Sequence, residues 1–186
     1  SRRLAAEGRK SRFFSSVSSW HESQLIQSPY LTRSDIAFIR KNPRGFGYWL
    51  WKPIILLTLL DKMKPNDYLI YLDAGCELNL RNRTSRKKLV GYCKKARQEG
   101  LVAFETQFFV RTWTKRDLLI HTGFDSESKI TKQIEAGVLI LFNSPETREF
   151  LKQWLHVMRL NEYRLLDDAP SMEQNYPDFK EHRHDQ

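Results

Sequence analysis

Tyr68-Leu69-Ile70-Tyr71-Leu72-Asp73-Ala74-Gly75 is the stretch on which the fold turns. Its first five residues are all large and largely apolar, a run too short for a buried helix. Lys64-Pro65-Asn66-Asp67 precedes it and Asp73-Ala74-Gly75 ends it, so turn-forming residues bound it on both sides. A short apolar run without alternation, framed in this way, is the pattern of a central strand covered on both faces.

Upstream of that strand the pattern is helical. Trp49 to Met63 reads as a strongly apolar helix, stopped by Lys64-Pro65. Thr32 to Lys41 reads as a second helix, with Ser34 or Thr32 as its cap and Ile36, Phe38 and Ile39 as apolar contacts. Asn42-Pro43-Arg44-Gly45 breaks it. Val17 to Trp20 is a short strand candidate, and Ser1 to Phe14 an amphipathic helix with Leu4, Ala5, Phe13 and Phe14 on its apolar side.

Downstream, Arg81 to Arg97 reads as a basic helix with Leu89, Val90 and Cys93 inward. A strand at Leu101 to Phe104 follows, then a helix from Trp113 to His121. Val138 to Phe142 is a second fully buried strand, and Ser144-Pro145-Glu146 opens a helix running to Leu160. Strands alternating with helices imply a single α/β domain over residues 1–186, with a mostly parallel sheet and helices on both faces. In such sheets ligands bind at the carboxyl ends of the strands. That rule points at Asp73 and at the residues leading into Val138.

Composition narrows the function classes. The chain has 186 residues, 40% of them hydrophobic, enough for one domain with a core. The longest apolar-rich stretch, Tyr48 to Leu60, is interrupted by Lys52 and Pro53, so it does not read as a membrane span. Ser1 to Lys10 lacks the apolar core of a signal peptide, although the chain opens without methionine and reads as truncated. Two cysteines, Cys76 and Cys93, make no disulfide framework and favour a reducing compartment. The net charge of +9 admits anionic partners, with the densest run at Arg81 to Arg97. No zinc-finger or RNA-recognition pattern accompanies it, so no nucleic-acid partner is expected.

Several residues stand where chemistry could occur. Asp73 ends a buried strand beside flexible Gly75 and could hold a divalent cation, with Glu77 as a second oxygen ligand; capping the next turn is the plainer role. Arg44-Gly45-Phe46-Gly47-Tyr48-Trp49-Leu50-Trp51-Lys52-Pro53 combines close-approach glycines, stacking faces and two cations suited to phosphate, or serves simply as turn and core. It lacks the spacing of a Walker A loop. Gln133 and Glu135 lead into the second buried strand. His182 and His184, two apart, match no standard zinc spacing. Glu105, Lys115, Asp117 and Asp168 complete the titratable candidates.

In order, GYWLWKP, YLDAG, AFET, WTKRD, QIEAG with VLILF, and EHRHDQ resemble the motifs of a group of bacterial and viral GT-A glycosyltransferases, and more distantly the glycogenin and galactosyltransferase type of that fold. The resemblance runs from Arg44 to Gln186 and lies in order and spacing rather than in any single motif. It implies a GT-A-like, mostly parallel sheet between helices, here without the family's first strand and C-terminal segment. It implies transfer of a hexosyl or pentosyl unit from a nucleotide-diphosphate sugar, most simply a UDP-sugar, to a glycan or other acceptor in polysaccharide synthesis, assisted by Mn2+ or Mg2+.

Carried over position by position, Asp73 stands at the first aspartate of the family's DxD metal motif, while Gly75 replaces the second. Gln133, Ala136 and Gly137 fall in a segment that touches donor, as do Arg44, Lys52 and Gln186 by their motifs. Asp185 and Glu135 are implied as the residues facing the reacting carbon. Glu105, Trp113, Lys115, Asp117 and His184 are implied as further donor or acceptor contacts. The expected location is cytoplasmic, with peripheral membrane association as a further option. The competing expectation is a non-catalytic α/β module that binds polysaccharide or polyanion through its basic face; a nucleotidyltransferase would want a glycine-rich phosphate loop.

Overall fold

A computed structural model describes residues Arg2–Asp185. Its helices and strands follow in the order α1 (Arg2–Ser11), α2 (Glu22–Leu25), α3 (Arg33–Lys41), α4 (Gly45–Tyr48), α5 (Trp51–Lys62), β1 (Tyr68–Leu72), α6 (Arg83–Glu99), β2 (Leu101–Phe109), α7 (Val110–Trp113), α8 (Arg116–His121), β3 (Lys132–Phe142) and α9 (Pro145–Arg159), with a 3-10 turn at Leu160–Tyr163. The fold is mixed α/β. No described helix is long and apolar enough to cross a membrane.

The sheet is three-stranded, in the order β1-β3-β2, and both outer strands run antiparallel to β3. This corrects the expectation of a mostly parallel sheet, and helix length explains the difference. α6 has 17 residues, about 26 Å at 1.5 Å per residue, enough to carry the chain back across the sheet so that β1 and β2 point the same way. α7 and α8 have only 4 and 6 residues. They leave the chain at the edge where β2 ended, so β3 must run back between its neighbours. One genuine crossover and one return at the same edge give an antiparallel centre.

The two faces of β3 divide the core. Leu139 and Leu141 point to one side, where they join Leu69, Ile54, Leu57, Leu151 and Leu155 beneath α5 and α9. Ile140 and Phe142 point to the other, against Ala96, Cys93 and Val102 under α6. α5 is apolar all round, and Ile54, Leu56, Leu57 and Leu60 are all 0% exposed, as a helix enclosed by the fold must be. Ser144 caps α9 by accepting from Thr147 N at 3.2 Å.

Other local expectations shift in detail. Val17–Trp20 forms no strand, and α1 stops at Ser11, leaving Phe13 and Phe14 beyond it. The helix expected over Trp113–His121 is two short helices, and the strand expected at Leu101–Phe104 extends to Phe109. On α6 the inward residues are Leu89, Cys93 and the fully buried Ala96, whereas Val90 is 41% exposed.

Thr32 is the cap of α3, accepting from Asp35 N at 3.1 Å. Asp35 itself is buried and ties α3 to the end of α9. It accepts from Arg159 Nε at 3.0 Å, Arg159 Nη2 at 2.6 Å, Tyr163 Oη at 2.9 Å and Thr32 N at 2.7 Å. Burial pushes its carboxyl up, but these donors outweigh that and hold it below the ordinary range. Asp35→Ala removes the acceptor and leaves a guanidinium without its counter-charge. The expected loss is about 3 kcal/mol of unfolding free energy, read by denaturant titration at neutral pH.

Candidate functional site

The site is built around Lys52, in the first turn of α5. The chain reaches α5 through five successive residues in the left-handed region, Gly45 (φ 56°), Phe46 (54°), Gly47 (82°), Tyr48 (51°) and Trp49 (61°). Each non-glycine residue there costs about 1–2 kcal/mol, so the packing around it must offset the strain. A Cβ on Gly47 would lie 2.5 Å from Ile39 Cγ1 and 3.0 Å from Ile39 Cα, so only glycine fits there. Trp51 Nε1 donates to Gly45 O at 2.9 Å and closes the turn.

The Lys52 side chain is 1% exposed. Its ammonium donates to Asp73 Oδ2 at 3.1 Å and to Ala136 O at 3.2 Å, and forms an ion pair with Asp185. Three partners satisfy all three N–H donors. Tyr71 lies beneath, its ring centroid 5.6 Å from Nζ, and its hydroxyl donates to Asp73 Oδ1. Burial, then the bond to Asp73, pushes the Tyr71 hydroxyl far above its usual pKa, so it stays protonated and donates to Asp73.

Asp73 continues the β1–β3 ladder one step past the strand, its N–H donating to Gly137 O at 2.8 Å. Gly137 is the floor of the site: a Cβ there would stand 2.7 Å from Glu135 Oε1 and 3.1 Å from Asp73 Oδ2. Glu135 Oε1 accepts from Gly137 N at 3.0 Å. Asp73 and Asp185 thus converge on one ammonium at the carboxyl end of β1, and Glu135 lies beside Asp73 across Gly137, at the irregular start of β3. Asp73 is 36% exposed and Asp185 11%. Space beside Gly75 is open, with nothing within 4 Å of a Cβ.

Asp185 is held there by the segment before it. Lys180 N donates to Thr112 O at 2.9 Å and Arg183 N to Trp113 O at 2.8 Å. His182 accepts from Lys115 N at 3.4 Å through Nδ1, which leaves Nε2 protonated and donating to Leu165 O at 3.0 Å. His184 Nδ1 bonds Leu166 O at 2.6 Å, while its Nε2 stands 3.3 Å from Asp168 Oδ1 with no hydrogen bond. Burial, then its neighbours His184 and Lys115, depress the His182 pKa to about 3; burial likewise lowers that of His184. Both rings serve the backbone, in keeping with their spacing.

Of the residues singled out in the sequence, the structure therefore gathers Lys52, Asp73, Glu135, Ala136, Gly137 and Asp185, with Gly75 at the mouth. Others brace the strap formed by residues 164–185, which ends at Asp185. Arg44 bridges Asp168 at 3.0 Å and Glu181 at 3.5 Å. Lys115 is buried against Arg164 O at 2.8 Å and Asp167 at 3.0 Å. Asp117 accepts from Met172 N at 2.9 Å and Glu173 N at 2.8 Å, and Trp113 lies under Arg183 at 4.2 Å. Glu105 and Glu77 are exposed. Gln133 is 1% exposed, with neither amide atom hydrogen-bonded. Gln186 lies outside the described residues. Tyr71 escaped the sequence reading, although a buried tyrosine two residues before an aspartate needs a partner for its hydroxyl.

Compared with protein-family models, with curated proteins and with solved structures, the chain returns no match.

Lys52→Met leaves Asp185 with no cation. The expected result is a loss of about 3 kcal/mol and faster proteolysis near residues 180–185, with part of the stability regained in Lys52→Met/Asp185→Asn. The histidines set a second expectation. A folded-state pKa of about 3 against an ordinary 6.5 for His182 means that only the unfolded chain takes up its proton between those values. Stability is thus intact above pH 6.5 and falls as pH drops toward 3. Between pH 6.5 and 5.5 the loss is about 1 kcal/mol. Tm measured across this range should flatten in His182→Gln.

Proposed function

We propose that the chain is a glycosyltransferase that moves a sugar from a nucleotide-diphosphate sugar to a glycan or other acceptor. The supporting observation is the convergence of Asp73 and Asp185 on buried Lys52, with Glu135 beside Asp73 across Gly137, at a sheet edge left open beside Gly75. The β1-α6-β2 crossover, with an aspartate at the carboxyl end of its first strand, supports the finer reading of a GT-A-like fold.

Two carboxylates on one ammonium, with Glu135 nearby, leave the cluster short of positive charge, and oxygen donors of this kind suit a hard dication. Asp73, more exposed than Asp185, would hold Mn2+ or Mg2+ together with oxygens of the diphosphate, and Gly75 leaves the room. When bound, such an ion would neutralise charge on the departing nucleoside diphosphate. Lys52 orients Asp73 through its bond to Oδ2. Glu135 or Asp185 faces the sugar: as base for the acceptor hydroxyl if transfer inverts, as stabiliser of the sugar cation if it retains. Tyr71 fixes the second oxygen of Asp73.

A second reading, a non-catalytic module for polysaccharide or polyanion, draws on the exposed cations of α1 and α6. Nucleotide binding separates the two. UDP with Mn2+ at about a hundred times Kd should raise Tm by about 5–10 °C, with a smaller shift when metal is removed. Asp73→Asn should keep the fold and lose the shift. If UDP, GDP, CDP and dTDP all leave Tm unchanged with and without Mn2+, the transferase reading fails.

A further inference from the structure

Charge is distributed very unevenly. Residues 2–12 carry five cations and one acid, and residues 81–97 carry eight cations and no acid, for net charges of +4 and +8. Together they exceed the +9 of the whole chain, so everything else is net negative. All thirteen cations are exposed. Among the described residues the single ion pair in this group is Arg3–Glu7, at 2.6 Å.

The two segments share one side of the molecule. Arg86 Nη2 donates to Ser11 O at 2.9 Å, Leu78 N to Glu7 Oε2 at 3.1 Å, and Arg3 Nη2 to Cys76 O at 2.6 Å. Between them opens a cleft of about 1760 Å3, lined by Leu4, Phe13 and Phe14 on one wall and by Val90 and Lys94 on the other. On α6, Arg83, Lys87 and Lys94 fall on one outward stripe by helical spacing. Val90, 41% exposed, lies on the same stripe, and Tyr92, 39% exposed, on the opposite flank of the helix.

We propose that this side of the protein docks on an anionic lipid bilayer, with the cations of α1 and α6 on the headgroups and the apolar mouth of the cleft against the interface. Each Lys or Arg near such a surface strengthens binding about five-fold, so several acting together suffice for peripheral attachment. The apolar cleft between the basic walls favours a bilayer over nucleic acid, which has phosphate charge but no apolar layer to offer. The proposal stands apart from the transferase reading, since neither Lys52 nor Asp73, Glu135 or Asp185 lines the cleft, although Tyr71 does.

Co-sedimentation of the whole chain with vesicles is the test. Vesicles of phosphatidylcholine with phosphatidylglycerol should bind the protein at about 0.1 M salt, and neutral phosphatidylcholine vesicles should not. Raising the salt should weaken binding steeply, because the Debye length falls to about 3 Å at 1 M. The triple substitution Lys87→Glu/Lys94→Glu/Lys95→Glu, on exposed helix positions, should lower partitioning at least about 100-fold with an unchanged circular-dichroism spectrum. Val90→Ser should weaken binding without altering its salt dependence. Equal binding to neutral vesicles, no binding to anionic ones, or charge reversal without effect would each overturn the proposal. So would binding to RNA or heparin in the absence of vesicle binding.

Discussion

The ammonium of Lys52 is the constraint around which the rest is arranged. A lysine that is 1% exposed survives only if each N–H finds an acceptor and its charge a counter-charge. Its partners come from three distant parts of the chain: Asp73 after β1, Ala136 within β3, and Asp185 at the end of the strap. The helix that carries it is apolar all round, so this polar residue sits where α5 meets the sheet edge and nowhere deeper. The left-handed turn before α5 follows from the same need. It aims the first turn of a buried helix so that Lys52 reaches Asp73, at the cost of strained backbone.

Much of the fold was legible because its signals were local. The apolar runs at Tyr68–Leu72 and Val138–Phe142 became strands, and Ser144-Pro145 opened α9. Strand direction was not legible in the same way. It depends on whether the intervening segment spans the sheet, and the residues from Phe109 to Lys132 resolve into two helices too short to do so. Val17–Trp20 likewise formed no strand: it lines the same cleft as the edge strand β1 without pairing to it.

The site divided along similar lines. Asp73, Glu135, Gly137 and Asp185 were singled out separately, and the structure brings Asp73 and Asp185 onto one lysine with Glu135 and Gly137 beside Asp73. Arg44, Lys115 and Asp117 carry the same kinds of charge, yet their partners are strap residues. Charge type is readable from sequence, whereas partner identity is a long-range property. Tyr71 was hidden by its setting, since within an apolar run its ring reads as core while its hydroxyl serves Asp73.

The same geometry constrains any chemistry at this edge. Lys52 occupies the sheet side of both Asp73 and Asp185, so a second cation can approach Asp73 only from the Gly75 side. There the carboxylate is partly solvated, and its ammonium neighbour weakens its pull on a dication. One such oxygen ligand holds Mg2+ or Mn2+ poorly without phosphate oxygens to complete the shell. Under the proposed transferase reading, glycine at position 75 would mean that cation and diphosphate bind here together or hardly at all. Metal affinity that rises with nucleotide is what that proposal requires.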